Sequence, residues 1–100
     1  MLASLAEGAT PITLGGDHSL AAGSVAAASV HVRQAGKPLG LIWVDAHGDM
    51  NSPASSGSGN VHGMPLAELL GHGPPELVAI AGLFFRISLA VSIASRTPLP

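Results

Sequence analysis

The fold of this chain is decided by residues 39–49, LGLIWVDAHGD. The first six residues form an unbroken apolar run, which is typical of a strand in a parallel sheet covered on both faces. If the extended conformation continues beyond the run, Asp45, His47 and Asp49 project to one side, because side chains alternate along a strand. Open α/β sheets bind their ligands at the carboxyl ends of the strands. The stretch therefore predicts an α/β protein with a ligand site at this strand end.

The three polar residues that follow the strand predict a metal site. Two carboxylates and an imidazole that converge repel one another and stay poorly solvated unless a cation joins them. Mixed carboxylate and imidazole ligands suit divalent manganese, iron or zinc. The alternative interpretation is a solvated turn with acidic caps.

A second motif, Gly-Gly-Asp-His-Ser at residues 15–19, follows a short apolar segment and precedes an alanine-rich stretch. The order predicts a strand, a tight glycine turn and a helix start, with Asp17 and Ser19 as capping residues. His18 then lies at the carboxyl edge of one strand, near Asp45 and His47 on another. Taken alone, a histidine beside a glycine turn is more often structural than a ligand.

A third motif lies in residues 50–63, which are rich in serine, glycine and asparagine. Such segments bury little apolar surface, and loops of this kind commonly carry function. Asn51, Ser58 and Asn60 offer neutral hydrogen-bonding groups, and His62 offers a side chain that titrates near neutral pH. The alternative is a flexible polar loop whose side chains have no role.

Together the three motifs resemble the ureohydrolases, and within them the arginases. The residues that carry the resemblance are GGDHS at 15–19, DAHGDMNSP at 45–53 and SGNVHGMPL at 58–66. The resemblance implies a piece of a three-layer α/β/α fold with a parallel sheet. Asn51 followed by Ser-Gly-Asn-x-His-Gly is similar to the arginase branch, and an agmatinase-type enzyme that acts on another guanidino compound is the alternative.

The resemblance implies two Mn²⁺ ions, whose bridging hydroxide attacks the guanidinium carbon of L-arginine to give L-ornithine and urea. His18 then binds one ion and His47 the other, while Asp45 and Asp49 bridge or share the pair. Asp49 is counted as catalytic as well as a metal ligand. Asp17 has no ligand role that the resemblance carries over.

The resemblance also implies how the substrate is held. Asn51 and Ser58 bind the α-carboxylate of L-arginine, with Asn60 nearby, and His62 is the catalytic proton shuttle between solvent and the site. The family further implies a homo-oligomer. The absence of cysteines from the sequence fits a cytoplasmic location.

The chain also departs from the family pattern. Only six carboxylate side chains are present, and none lies in the later Ser-x-Asp-x-Asp segment that completes the metal shells in relatives. The resemblance fades after about Ala81, which predicts a partial arginase-like domain over residues 1–81 and a divergent apolar tail over residues 82–100. We expect a gene fragment, a frameshift or a mispredicted exon. We then expect the chain alone to be inactive, either as a metal-binding module without catalysis or as an unproductive translation product.

Composition agrees with a piece of a larger protein. Hydrophobic residues make up 47% of the chain and charged residues 10%, which is the balance of a protein core. The net charge of −2 gives no electrostatic case for nucleic acid or an anionic membrane. Residues 77–95 approach the length of a membrane span, but Arg86 near the middle costs about 2.5–3.5 kcal/mol on insertion. A buried segment is therefore favoured over a span.

The local patterns predict the secondary structure. Helices are predicted over residues 2–7, 19–35, 64–70 and 83–94. Strands are predicted over residues 12–14 and 39–44. Residues 77–81 suit either a strand or a helix.

Overall fold

The computed structural model describes residues 1–81 and 87–93. Along the chain these form four α-helices, two strands and one 3-10 turn. The elements, in order, are α1 (Leu2–Ala6), α2 (Leu20–Gln34), β1 (Leu39–Val44), the 3-10 turn (Val61–Gly63), α3 (Pro65–Leu69), α4 (Pro75–Ala81) and β2 (Ile87–Ile93).

The two strands form a parallel pair, with Gly40 opposite Leu89 and Val44 opposite Ile93. The register shifts between Leu39 and Gly40. Parallel neighbours need a long crossover, and the segment between β1 and β2 carries α3 and α4. The predicted α/β class with a parallel sheet is thereby confirmed.

The core lies between α2, β1 and α3. Ala21, Ala26, Trp43, Leu66 and Leu69 form one buried cluster, with Val25 and Leu41 packed against it. The alternate side chains of β1 face the other way, and Ile42 and Val44 are 75% and 74% exposed. One face of β1 is therefore covered by the helices that the structure describes, whereas the apolar run predicts cover on both faces.

The helix α2 matches the predicted boundaries closely. It ends at Gln34, and the amide of Gly36 donates to the carbonyl of Arg33 while the amide of Lys37 donates to that of Val32. Gly36 has a φ of +70°, which a glycine adopts without the steric penalty of a side chain. The glycine therefore stops the helix and turns the chain into β1.

Two secondary-structure predictions are wrong. Residues 12–14 form no strand, and Ile12 and Leu14 are 83% and 89% exposed. A strand needs a hydrogen-bonded neighbour, and the described sheet pairs only β1 with β2. The helix predicted over residues 83–94 is instead the strand β2 where the structure describes it, because the pairing with β1 selects between two periods that the sequence fits equally.

The predicted helix over residues 64–70 is confirmed as α3, and residues 77–81 belong to α4. The predicted division at residue 82 stays a prediction. Residues 82–86 and 94–100, which hold most of the predicted tail, lie outside the described residues. Within the described part of the chain, no helix combines the length and apolarity that crossing a membrane requires.

Candidate active site

The site begins where β1 ends. The extended conformation stops at Val44, and Asp49 has a φ of +49°, so the predicted alternation through Asp49 does not occur. A left-handed conformation at a residue other than glycine is uncommon and often marks a functional site. The carbonyl of Asp49 accepts hydrogen bonds from the amides of Leu66 and Ala67, which fixes the turn onto the start of α3.

Asp49 is buried, with 5% of its surface exposed, and one of its oxygens has two partners. The indole Nε1 of Trp43 donates to Oδ2 of Asp49 at 3.0 Å, and Nε2 of His18 lies 3.0 Å from the same oxygen. The rings of His18 and Trp43 meet edge to face with centroids 5.2 Å apart. Trp43 thus holds both side chains in place.

Three of the four predicted metal ligands converge. Nε2 of His18 also lies 3.3 Å from Oδ2 of Asp45, and one ligand atom each from His18, Asp45 and Asp49 all lie within 4.8 Å of one another. The spacing is short enough for one divalent cation to contact all three. The donor set of one imidazole and two carboxylates fits a metal of intermediate hardness such as manganese.

His47 faces the other carboxylate oxygen of Asp45 from the one that His18 faces. Its Nδ1 is 3.4 Å from Oδ1 of Asp45, whereas His18 faces Oδ2. The backbone amide of His47 donates to Oδ1 at 2.8 Å, and this hydrogen bond holds the pKa of Asp45 below its usual value. The carboxylate of Asp45 therefore stands between two histidines, and His47 is not part of the three-residue group.

All eight candidate residues face one cleft with a volume of about 790 Å³. The sequence separates them into three motifs, and the fold brings the motifs together. The eight residues are His18, Asp45, His47, Asp49, Asn51, Ser58, Asn60 and His62.

The polar loop uses part of its hydrogen-bonding capacity internally. Oδ1 of Asn51 accepts from the hydroxyl of Ser55 at 3.4 Å, which leaves the amide nitrogen of Asn51 available as a donor. The hydroxyl oxygen of Ser58 accepts from the amide of Asn60 at 3.2 Å, and its proton remains free to donate. The loop thus offers donors to a negatively charged group.

His62 meets a carboxylate that the motifs did not assign to it. Its Nδ1 lies 3.3 Å from Oδ2 of Asp17, and both side chains are about half exposed, at 52% and 60%. Hydrogen bonding to Ser19 holds the pKa of Asp17 below its ordinary value. The amide of Ser19 donates to Oδ1 of Asp17 at 2.9 Å. Ser19 is the N-cap residue of α2 but makes no capping hydrogen bond through its side chain, so its predicted capping role is wrong.

Sequence reasoning missed two partners in the site. The sequence predicts Trp43 only as a strand residue, although an indole donor two residues before Asp45 signals that an acceptor could lie nearby. The contact between Asp17 and His62 has no such signal, because it joins two motifs through the tertiary fold.

Imidazole and carboxylate donors at the end of a parallel strand define an α/β protein with a candidate metal centre. The chain belongs to the Arginase family, whose model matches residues 1–87. The fold class and the predicted resemblance are thereby confirmed.

Individual relatives agree. The arginase of Staphylococcus aureus strain COL is 54% identical over 78 residues, which are 78% of this chain and 24% of that protein. The arginase of Bacillus caldovelox is 52% identical over 75 residues, which are 75% of this chain and 24% of that protein. The chain thus spans about a quarter of the length of these relatives.

Solved arginases share the fold. The crystal structure of the Bacillus cereus enzyme superposes with a TM-score of 0.84 at 42% identity and covers 96% of this chain and 32% of that one. The native structure of the Bacillus caldovelox enzyme at pH 5.6 gives a TM-score of 0.83 at 43% identity and covers 96% of this chain and 31% of that one.

Proposed function

We propose that this chain carries part of the active site of a manganese-dependent amidinohydrolase that converts L-arginine and water into L-ornithine and urea. The observation that supports the proposal most strongly is the single cleft on which all eight candidate residues lie. The similarity to arginases over three quarters of the chain supports the same substrate.

The metal-binding part of the proposal rests on the donor set. His18, Asp45 and Asp49 would hold one Mn²⁺, and His47 at the other oxygen of Asp45 would contribute to a second. When bound, manganese supplies an activated water for attack on the guanidinium carbon. Asp45 presents one oxygen toward each histidine, which suits a carboxylate shared between two cations.

The polar loop would bind the amino-acid end of the substrate. The free donors of Asn51 and Ser58 suit the α-carboxylate, and Asn60 is tied to Ser58 by a hydrogen bond. Neutral donors can bind a carboxylate directly or through water. This arrangement favours arginine over guanidino compounds without a carboxylate, such as agmatine.

His62 would deliver the proton that the leaving amine requires. An imidazole can both accept and donate a proton, so His62 can take a proton from solvent and give it up within the cleft. Its ring lines the cleft and is half exposed, as a shuttle between the site and solvent needs to be.

The chain on its own supports a second, smaller function, which is metal binding without catalysis. Three donors converge within its described residues, whereas two hard divalent cations need about six ligands each. A titration of the chain with Mn²⁺, followed by circular dichroism, tests this function. A change in signal that His18→Ala abolishes supports it, and an unchanged signal contradicts it.

The catalytic proposal is tested in a hybrid enzyme, in which this chain's segment replaces the matching 78 residues of the Staphylococcus aureus arginase. We expect urea release from the hybrid, and loss of both urea release and bound manganese in its His47→Ala variant. His72→Ala is the matched control, because His72 is exposed and does not line the cleft. Equal activity of the His47→Ala and His72→Ala variants would contradict the proposal.

The role of His62 needs a separate measurement. We expect His62→Asn to slow the hybrid by about 10²- to 10⁴-fold, the range of general acid–base catalysis, with manganese content unchanged. Exogenous imidazole should restore part of the rate. Loss of manganese from this variant would instead make His62 a ligand. A homo-oligomeric assembly, which rests on the family alone, and a cytoplasmic location remain proposals.

A further inference from the structure

Asp17 and His62 are far apart in sequence and meet only through the fold. Oδ2 of Asp17 lies 3.3 Å from Nδ1 of His62. Asp17 precedes α2, and His62 lies in the 3-10 turn Val61–Gly63. The contact therefore connects the turn that carries a predicted metal ligand to the turn that carries the proposed proton shuttle.

The carboxylate of Asp17 is held from one side. The backbone amide of Ser19 donates to Oδ1 at 2.9 Å, so Oδ2 is the oxygen that remains for His62. Because the hydrogen bond is to the backbone, the carboxylate is already ordered before it meets the imidazole. The entropy cost that weakens most exposed ion pairs is thus reduced.

The backbone beneath His62 is also fixed. The amide of Gly63 donates to the carbonyl of Asn60, and the amide of Met64 donates to that of Val61. The amide of Asn51 donates to the carbonyl of Gly63 at 3.2 Å and ties the turn to the polar loop. These hydrogen bonds limit movement of the backbone at His62, so the ring changes its orientation by rotation about the side-chain bonds.

The two ring nitrogens of His62 have different surroundings. The ring lines the cleft, whereas Asp17, which faces Nδ1, does not. The nitrogen left for the cleft is Nε2. In a neutral imidazole one nitrogen carries the proton and the other accepts, and the partner of one nitrogen sets which is which.

We propose that Asp17 is a positioning residue for His62, whose carboxylate holds the Nδ1–H tautomer and directs Nε2 into the cleft. This inference rests on the proposed role of His62 in proton transfer. Nε2 is then the nitrogen that takes a proton from solvent and gives it to the leaving amine. Asp17 thus acts through the histidine and not through contact with substrate or metal.

The first test is nuclear magnetic resonance of the complete 100-residue chain. The ¹⁵N shifts of the two ring nitrogens of His62 report which one is protonated when the imidazole is neutral. In the unmodified chain we expect an excess of the Nδ1–H form. The variant Asp17→Asn is the informative change, because its oxygen can still accept from Ser19 while its amide nitrogen replaces Oδ2.

An amide nitrogen is a donor, so it should favour an unprotonated Nδ1 and shift the tautomer ratio of His62 toward Nε2–H. We expect a change of about two- to fivefold, the size typical of an exposed charged pair. Glu7→Gln, at an exposed carboxylate outside the cleft, is the matched control and should leave the ratio unchanged. Identical ratios in the unmodified chain and in Asp17→Asn would overturn the inference.

The second test is kinetic and uses the hybrid enzyme. Asp17→Asn should lower kcat about two- to fivefold with little change in KM, and it should have no further effect in a His62→Asn background. Additive effects of the two substitutions would show a merely structural role and overturn the inference. An inactive unmodified hybrid would refute the proposed function, whereas the tautomer measurement would still decide the role of Asp17.

Discussion

Replacing Glu68 with methionine should stabilise this protein at neutral pH. Glu68 lies in α3 and is 1% exposed, and neither carboxylate oxygen has a hydrogen-bond partner within the described part of the chain. Gly73 packs closely against Glu68, since a Cβ atom at residue 73 would lie 2.9 Å from Cα and Cβ of Glu68. Methionine has a similar length and no group that needs a hydrogen bond.

The magnitude follows from the unsatisfied carboxyl. A buried polar group without a partner costs about 1–3 kcal/mol, and more when it is charged. Glu68→Met removes that cost and keeps most of the packing. We therefore expect the free energy of unfolding to rise by about 1–3 kcal/mol at neutral pH.

The same carboxyl gives the stability a defined pH dependence. Burial raises the pKa of Glu68 above its ordinary value of 4.5. The folded state then binds a proton more tightly than the unfolded state, so Glu68 contributes most favourably below pH 4.5. Stability falls as the pH rises from 4.5 through the raised value. The advantage of Glu68→Met should accordingly be larger at neutral pH than at acid pH.

Urea denaturation of the 100-residue chain, followed by Trp43 fluorescence, measures the effect at neutral pH and below pH 4.5. Glu76→Met is the matched control, because Glu76 lies on the next helix and is exposed. The control should change stability little and show no comparable pH dependence. A Glu68→Met chain no more stable than the control, or an advantage that grows toward acid pH, would refute the reasoning.

Three further predictions concern Trp43, Gly73 and the activity of the isolated chain. Trp43→Phe removes the hydrogen bond to Asp49, and calorimetry on the hybrid enzyme should show manganese affinity lower by about 10- to 100-fold. Unchanged affinity would show that this hydrogen bond does not help Asp49 to bind the metal. Gly73→Ala should destabilise the chain by about 1–3 kcal/mol in urea, because its Cβ meets the backbone of Glu68; a neutral result would mean that α3 moves easily. The 100-residue chain should release no urea with excess manganese and arginine, and release above a His47→Ala control would contradict this expectation.

The local sequence predicts the strand and the long helix on which the candidate site is built. The apolar run before Asp45 predicts β1, and the alanine-rich segment between Ser19 and Gly36 predicts α2, because these signals depend on neighbours within a few residues. The strand-end rule of α/β sheets predicts that the first two motifs approach one another, although the strand expected before Gly15 is absent, and only the family resemblance joins the third motif to them. The eight candidate residues do line one cleft, although their individual roles stay predictions.

Other features required the tertiary structure. The apolar residues near the carboxyl end of the chain fit a helix and a strand equally, and only the hydrogen bonds to β1 select the strand β2. Conversely, residues 12–14 have the composition of a strand but no described neighbour with which to pair. Pairing joins segments distant in sequence, so no local pattern specifies it.

The amino-acid sequence by itself determined which side chains are candidates for the chemistry, because residue type and spacing identify the donors in each motif. The tertiary structure alone decided how they are grouped. It placed His18 and His47 at different oxygens of Asp45, directed the indole of Trp43 to Asp49, and brought Asp17 to His62. These contacts depend on how the turns after β1 and before α2 pack together, and that packing is a property of the whole fold.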